Sequence, residues 1–161
     1  MLQGEVHDPR AALLGGVAGH AGLFSTAQDL ARFCRMLLRG GELDGKRLFR
    51  DSTVRQWTTP RKVTVGQSPS GAVTAGLRTY GWDVDTPYSA PRGDLFPRDR
   101  SYGHTGFTGT SLWLDPATQT AVILLTNRLH PDEKGNVTPL RRQVGTLAAQ
   151  AVGYGKAEKK P

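Results

Sequence analysis

The segment from Tyr102 to Thr110, Tyr-Gly-His-Thr-Gly-Phe-Thr-Gly-Thr, brings together groups that can bind and polarise a substrate. A His ring exchanges protons near neutral pH, and a Thr hydroxyl both donates and accepts hydrogen bonds. The three glycines would weaken a strand unless something must approach its backbone closely. Open N–H groups beside such side chains would let the strand edge hydrogen-bond a substrate amide or ester. On spacing alone, a glycine-rich hairpin without a ligand is the simpler interpretation.

No other segment has the spacing of a known chemical site. The glycines between Gly15 and Gly22 are not followed by the Lys-Ser or Lys-Thr of a phosphate loop. The histidines have no ligand-like spacing, and they are His7, His20, His104 and His130. The one cysteine, Cys34, excludes a disulfide within the chain and a Cys-rich zinc site. We therefore expect no metal and no cofactor, and a structural role for the pair His7-Asp8 and for His20.

The most regular helix signal begins at Ser25. Ser25 and Gln28 have the spacing of a capping box, and Gly40-Gly41 supplies a helix stop. Apolar residues between them recur at helical spacing and predict one buried face: Leu30, Phe33, Cys34, Leu37 and Leu38. A shorter helix is predicted from Asp51 to Trp57, ended by Pro60.

The segments that follow it are less regular. Residues 61–76 predict an exposed loop or a weak strand, 80–84 a strand, and 87–100 a surface loop.

Two strands and a helix follow the candidate segment. Residues 108–114 and 121–127 predict an antiparallel pair, with a turn that starts at Asp115-Pro116. The run 121–125 is apolar without alternation, which favours a central strand covered on both faces. Thr138 with Pro139 predicts the start of a helix that runs to Val152. Its expected buried face is Leu140, Val144, Leu147, Ala148 and Ala151.

These elements predict an α+β fold, an antiparallel sheet with flanking helices. The length of 161 residues fits one domain, which we place at 1–155, with 156–161 as a disordered basic tail. The net charge of +7 comes from 21 Lys and Arg against 14 Asp and Glu, scattered along the chain. No zinc-finger or aromatic RNA-binding pattern accompanies them, so we expect no nucleic acid. No stretch approaches the ~20 apolar residues of a membrane span.

His104-Thr105-Gly106, placed before a strand pair that ends in Leu124-Leu125-Thr126-Asn127, resembles the third conserved box of the serine β-lactamase-like family. This family includes class C β-lactamases, DD-peptidases and related esterases, and its box reads Lys-Thr-Gly or quite often His-Thr-Gly. The stretch from Gly19 to Phe33, with its Ser-Thr-Ala-x-Asp-Leu-Ala helix start, is also similar to that family. The resemblance runs from about Val6 to Gly153 and implies a β-lactamase/transpeptidase-like fold, here incomplete.

The resemblance also implies two boxes that this sequence lacks. The first is Ser-x-x-Lys, with Ser as nucleophile and Lys as its base, yet no Ser here has Lys three residues later. The second is Tyr-x-Asn, yet no Tyr here has Asn two residues later. Both boxes precede the third in the family. We therefore expect the C-terminal portion of a longer hydrolase, unable to form an acyl-enzyme without its missing N-terminal segment.

The resemblance assigns roles to four residues. His104 is the expected catalytic residue, a donor or electrostatic helper near the nucleophile. Thr105, Gly106 and Phe107 are the expected substrate-binding residues. The Thr105 hydroxyl would bind the substrate, Gly106 would leave room for the acyl group, and the Phe107 N–H would be one of two oxyanion donors. Because an ordinary His is mostly neutral at pH 7 and Lys is charged, His104 favours a peptidase or esterase over a dedicated penicillinase.

Two functions stay open at this point. One is a serine hydrolase that cleaves an amide, an ester or a β-lactam, with a small molecule or peptide as the partner of the intact enzyme. The other is a non-catalytic binding module derived from the same fold. No basic segment precedes an apolar stretch near Met1, so no signal peptide is visible. Since the true N-terminus is expected to be missing, the compartment, extracytoplasmic or cytoplasmic, stays open.

Overall fold

The computed structural model describes residues 2–67, 69 and 71–156. The helices are α1 (Pro9–Leu13), α2 (Ala27–Leu38), α3 (Asp51–Thr58) and α4 (Thr138–Ala151), with a 3-10 turn at Ala90–Arg92. The strands are β1 (Glu42–Leu43), β2 (Lys46–Arg47), β3 (Arg61–Gln67), β4 (Val73–Arg78), β5 (Asp83–Asp85), β6 (Tyr102–Thr105), β7 (Ser111–Asp115) and β8 (Thr120–Leu124). Of the predicted tail, only Lys156 lies within the described residues.

Six strands form one antiparallel sheet in the order β3-β4-β5-β6-β7-β8. Successive side chains of β7 point to opposite faces. Leu114 joins a core that contains Cys34 and Leu37 of α2, and Trp113 joins a second core that contains Ala149 of α4. Helices thus cover both faces of the sheet at β6 and β7, and the predicted α+β fold with flanking helices is confirmed.

Helix α2 has its cap one residue later than predicted. Thr26 is the N-cap, and its hydroxyl oxygen accepts from the Asp29 N–H at 3.1 Å and donates to the Asp29 carboxylate at 3.0 Å. The Ser25 hydroxyl only reaches the Thr26 carbonyl, at 3.4 Å. The predicted capping box is therefore wrong by one residue, because Thr26 and Asp29 have the same spacing as Ser25 and Gln28 and the Asp29 carboxylate also accepts from the Thr26 hydroxyl. The helix ends at Gly40-Gly41 as predicted.

Helix α4 is rotated relative to its predicted orientation. Its buried residues are Arg141, Gly145 and Ala149. Of the five residues predicted to be buried, Leu140, Leu147 and Ala151 are exposed, and Val144 and Ala148 are half-buried. A side chain on Gly145 would overlap the Pro91 carbonyl oxygen, so α4 turns its small residues toward the 3-10 turn.

The predicted cap of α4 is also wrong. The N-cap is Val137 rather than Thr138. The Asn136 carboxamide oxygen accepts from the Thr138 N–H at 3.0 Å. Asn136, two residues upstream, satisfies this N–H, so Thr138 can be the first residue of the helix itself. Pro139 follows it in the first turn.

Strand β8 lies at the edge of the described sheet rather than at its centre. It pairs with β7 alone, and most of its side chains are half-buried. The prediction of a central strand covered on both faces at 121–125 is therefore wrong for the described residues, because an apolar run specifies neither how many strands it pairs with nor how fully it is covered. The preceding turn is as predicted, since the Asp115 carboxylate accepts from the N–H groups of Ala117 and Thr118.

The predictions for the segments between Asp51 and Arg100 agree with the structure to different degrees. Helix α3 matches the predicted helix to within one residue. For the described residues of 61–76 the weak-strand alternative is the correct one, since β3 and β4 pair as an exposed hairpin. Strand β5 begins at Asp83, three residues after the predicted start, because Gly81 adopts a positive φ of 84°.

The predicted surface loop at 87–100 is wrong. Phe96 is buried against Tyr154, and Arg92 is buried with its guanidinium 2.6 Å from the Asp85 carboxylate. Proline and mixed charge indicate irregular backbone, but they do not indicate exposure when the charges are paired internally.

Candidate active site

Strand β6 lies between β5 and β7 and carries the first two predicted site residues, His104 and Thr105. Its first half is fixed in the core, with Tyr102 buried and Gly103 packed against β7. A side chain at Gly103 would overlap the Leu112 carbonyl oxygen and the Trp113 ring. Gly103 therefore lets the Trp113 indole lie directly on the strand that carries the site.

The backbone turns away from β6 between Gly106 and Thr110, so the predicted strand 108–114 begins at Ser111 instead. The Gly106 N–H donates to the Thr110 carbonyl at 2.7 Å, and the Gly109 N–H donates to the Gly106 carbonyl at 3.1 Å. Gly109 has a φ of 124°, a conformation that side chains disfavour. We call residues 106–110 the site turn.

Three carbonyl oxygens of the site turn accept hydrogen bonds from the segment that follows β8. The Phe107 oxygen accepts from Arg128 Nε at 2.7 Å, the Thr108 oxygen from the Arg128 N–H at 3.0 Å, and the Gly109 oxygen from the Thr126 hydroxyl at 2.6 Å. In contrast, none of the residues that the structure describes accepts a hydrogen bond from the Phe107 or Thr108 N–H. Two unpaired N–H groups at a strand end are donors suited to an anionic oxygen.

The His104 side chain is exposed, and its Nδ1 lies 2.8 Å from the Thr105 carbonyl oxygen. A carbonyl oxygen only accepts, so Nδ1 carries the proton in this bond and the neutral ring keeps its lone pair on Nε2. The arrangement therefore presents an acceptor at Nε2.

The other predicted residues adjoin His104. Thr105 is half-buried, and its hydroxyl has no hydrogen-bond partner within the described ranges. Gly106 is packed so closely that a side chain would overlap the Thr110 hydroxyl. Phe107 exposes 66% of its surface. The four predicted site residues thus lie together where β6 runs into the site turn.

Sequence reasoning missed the surroundings of Phe107. Its ring stacks on His7, with centroids 6.0 Å apart, and the Arg128 guanidinium lies 4.3 Å from its centroid. His7 Nε2 in turn lies 3.1 Å from a Glu133 carboxylate oxygen. His7 stands 100 positions before Phe107 in the chain, so no local spacing could have indicated this contact.

Asp8 and His20, for which the sequence predicts a structural role, contact each other at the start of α1. The Asp8 carboxylate caps α1 by accepting from the N–H groups of Ala11 and Arg10, at 2.8 and 3.0 Å. His20 Nε2 lies 3.3 Å from the same carboxylate. The Ala11 N–H is the main cause that lowers the pKa of Asp8 below its ordinary value.

Among the described residues, no group of three or more His, Cys, Asp or Glu side chains is arranged to hold a metal ion. In the same part of the chain, no helix has both the length and the apolar character needed to cross a membrane.

Comparison with known proteins finds relatives by sequence, a solved structure with the same fold, and a matching family. Putative D-alanyl-D-alanine carboxypeptidases from Salmonella paratyphi B and Salmonella newport are each 39% identical over 156 residues, which cover 95% of this chain and 34% of theirs. The chain thus spans about a third of the length of these relatives. A penicillin-binding protein homolog from Caulobacter crescentus has the same fold, with a TM-score of 0.53 at 22% identity over 78% of this chain and 32% of that one. The family model for β-lactamase matches residues 1–146, and the chain therefore belongs to the β-lactamase family.

Proposed function

We propose that this chain is the C-terminal part of a serine hydrolase that cleaves a peptide through an acyl-enzyme, as its relatives' name, D-alanyl-D-alanine carboxypeptidase, suggests. The observation that carries the proposal is the pair of N–H groups at Phe107 and Thr108 that have no acceptor among the described residues, directly beside His104 and Thr105. Fixed donors of this kind stabilise the oxyanion of acyl transfer, and the loss of one typically costs ~10²–10³ in rate.

Each residue has a distinct part in this proposal. The Phe107 N–H is one oxyanion donor, and the second comes from the segment that holds the nucleophilic Ser. The free Thr105 hydroxyl binds the substrate or its carboxylate. His104 Nε2 accepts a proton or a hydrogen bond beside the nucleophile, which suits a peptidase.

We propose further that the chain alone is inactive, because no Ser in it has Lys at the third following position. The exposed leucines of α4, Leu140 and Leu147, support this proposal, as does the unpaired edge of β8. So does a set of exposed apolar residues around the glycines between Gly15 and Gly22: Leu13, Leu14, Val17, Leu23 and Phe24. The remaining segment of the hydrolase would cover these surfaces and supply both Ser and Lys.

The first test treats the purified chain with penicillin and with a fluorophosphonate and measures its mass. We expect no added mass and no burst of product from an activated ester. Stoichiometric labelling of any Ser in residues 1–161 would contradict the proposal.

The second test uses a chimera in which the part of the Salmonella carboxypeptidase that precedes its match to this chain is fused before Met1. We expect penicillin labelling on the supplied Ser and none when that Ser is Ala. His104→Ala should slow labelling at least about tenfold, whereas His130→Ala, which also removes an exposed imidazole, should not. A folded chimera that binds substrate but never becomes acylated would favour the non-catalytic binding module.

A further inference from the structure

Arg141 of α4 contacts the site turn, although it lies 35 residues after Gly106 in the chain. Its Nη2 donates to the Gly106 carbonyl and to the Thr110 carbonyl, both at 2.8 Å. These are the two ends of the site turn, which the Gly106 N–H also joins. One guanidinium thus ties together the residue that leaves β6 and the residue that precedes β7.

The position of Arg141 is costly in free energy. The residue is only 9% exposed, it forms no ion pair with a carboxylate of the described residues, and its buried Nε has no partner there. Burial, with the nearby Arg128 as a second cause, lowers the pKa of Arg141. A buried charge without a counter-charge destabilises a fold, and an apolar side chain of similar size would fill the same space without that penalty. Packing alone therefore does not account for Arg141.

We infer that Arg141 is a positioning residue that holds the site turn in the conformation in which the Phe107 and Thr108 N–H groups have no acceptor among the described residues. This inference rests on the proposed function, in which the Phe107 N–H is an oxyanion donor. Such a donor stabilises the transition state only when its direction is fixed before the reaction.

Arg128 acts on the same turn from a second position. It holds the Phe107 carbonyl through Nε and the Thr108 carbonyl through its backbone N–H. Since a peptide group is planar, fixing the Phe107 carbonyl also fixes the N–H of Thr108. In the same way, the Gly106 carbonyl held by Arg141 fixes the N–H of Phe107. Each arginine side chain therefore orients one of the two free donors.

The test compares Arg141→Met with Arg142→Met, a matched control, because Arg142 is the adjacent residue and forms an exposed ion pair with Asp94 at 2.6 Å. Amide hydrogen exchange is measured by NMR on the isolated chain. For Arg141→Met we expect exchange of the Gly106 and Gly109 N–H groups to accelerate at least about tenfold, with shifted Phe107 and Thr108 resonances and an unchanged Trp113 indole signal. Arg142→Met should change none of these.

Arg141→Lys keeps the charge but offers a point-like donor in place of the planar fork. We expect it to loosen the site turn even if Arg141→Met fails to fold. Unchanged exchange at Gly106 and Gly109 in folded Arg141→Lys would overturn the inference.

The chimera separates this inference from the proposed function. If the chimera is acylated, Arg141→Lys should lower the acylation rate at saturating penicillin and leave the apparent binding constant nearly unchanged, and wild-type acylation would overturn the inference. If the chimera is never acylated, the proposed function fails, while the exchange measurement on the isolated chain still decides whether Arg141 orders the turn.

Discussion

The indole N–H of Trp113 donates to the Ser101 hydroxyl at 3.0 Å, and both residues are almost completely buried. The Ser101 hydroxyl in turn donates to the Pro97 carbonyl at 2.5 Å. This chain of bonds joins β7 to the residue just before β6 and to the buried segment that precedes it. The strand that carries His104 is thus anchored at its start, on the side away from the site turn.

Ser101→Ala should destabilise the chain by ~1–3 kcal/mol, because it leaves the buried indole N–H without an acceptor. The measurement is urea denaturation followed by Trp fluorescence. Trp113→Phe alone also loses packing, so the pair is best compared in a double-mutant cycle. A coupling of about 1 kcal/mol is expected between the two residues, and a coupling near zero would show that the bond contributes nothing.

Gly103→Ala should destabilise the chain by about 3 kcal/mol or more, because the new methyl group would overlap the backbone of β7 and the Trp113 ring. Gly66→Ala is the matched control, since Gly66 also lies in a strand and its nearest neighbour in that direction is Thr74 Cβ at 3.9 Å. That variant should change stability by no more than about 0.5 kcal/mol. Equal effects in thermal denaturation would refute the close approach of β6 and β7.

Thr26→Ala should cost ~1 kcal/mol through the loss of the α2 cap. Ser25→Ala, one residue earlier, should change stability by less than about 0.5 kcal/mol. Circular dichroism during thermal unfolding measures both. The opposite order of effects would restore Ser25 as the cap.

Alkaline pH should destabilise the chain through Cys34. Burial raises the pKa of the Cys34 thiol from 9.0 to about 11, so the unfolded chain loses this proton first. The folded state binds the extra proton between these values, and the free energy of unfolding therefore falls as pH rises from 9 to 11, by about 2–3 kcal/mol in all. Cys34→Ala should be less stable at neutral pH but show a flatter decline over this range. An identical slope in both proteins would contradict this explanation.

Much of the fold could be predicted because local signals agreed with the packing. The bounds of α2 and α3 and the β7–β8 pair follow from stop residues, apolar spacing and the Asp115 turn. The predicted buried face of α2 is only partly correct, because Phe33 is exposed and Met36, which was not predicted, is buried. Helix α4 shows the limit of such signals. Its leucines predict a buried face, but the close approach of Gly145 to the 3-10 turn selects a different one. Sequence spacing reports which residues share a face and not which face meets the sheet.

The candidate site, too, could be predicted only in part from the sequence. His104, Thr105, Gly106 and Phe107 could be named because they are contiguous and resemble a family motif. The groups around them could not, since His7, Arg128 and Arg141 come from distant segments and reach the site only through tertiary structure. Nor does the sequence distinguish a strand from a turn at 106–110, where carbonyl partners outside the segment stabilise the turn.

The outer edge of β8, which pairs with no strand of the described residues, has a consequence for how the isolated chain behaves in solution. Thr120–Leu124 contains no charged residue, no Pro and no Gly, and these are the residue types that proteins use to keep exposed strand edges from pairing with other molecules. Its row of unpaired backbone groups is a template that a second copy can extend by edge-to-edge pairing. Aggregation will therefore depend on concentration, and a single Lys on the outward side of this strand is the simplest way to suppress it.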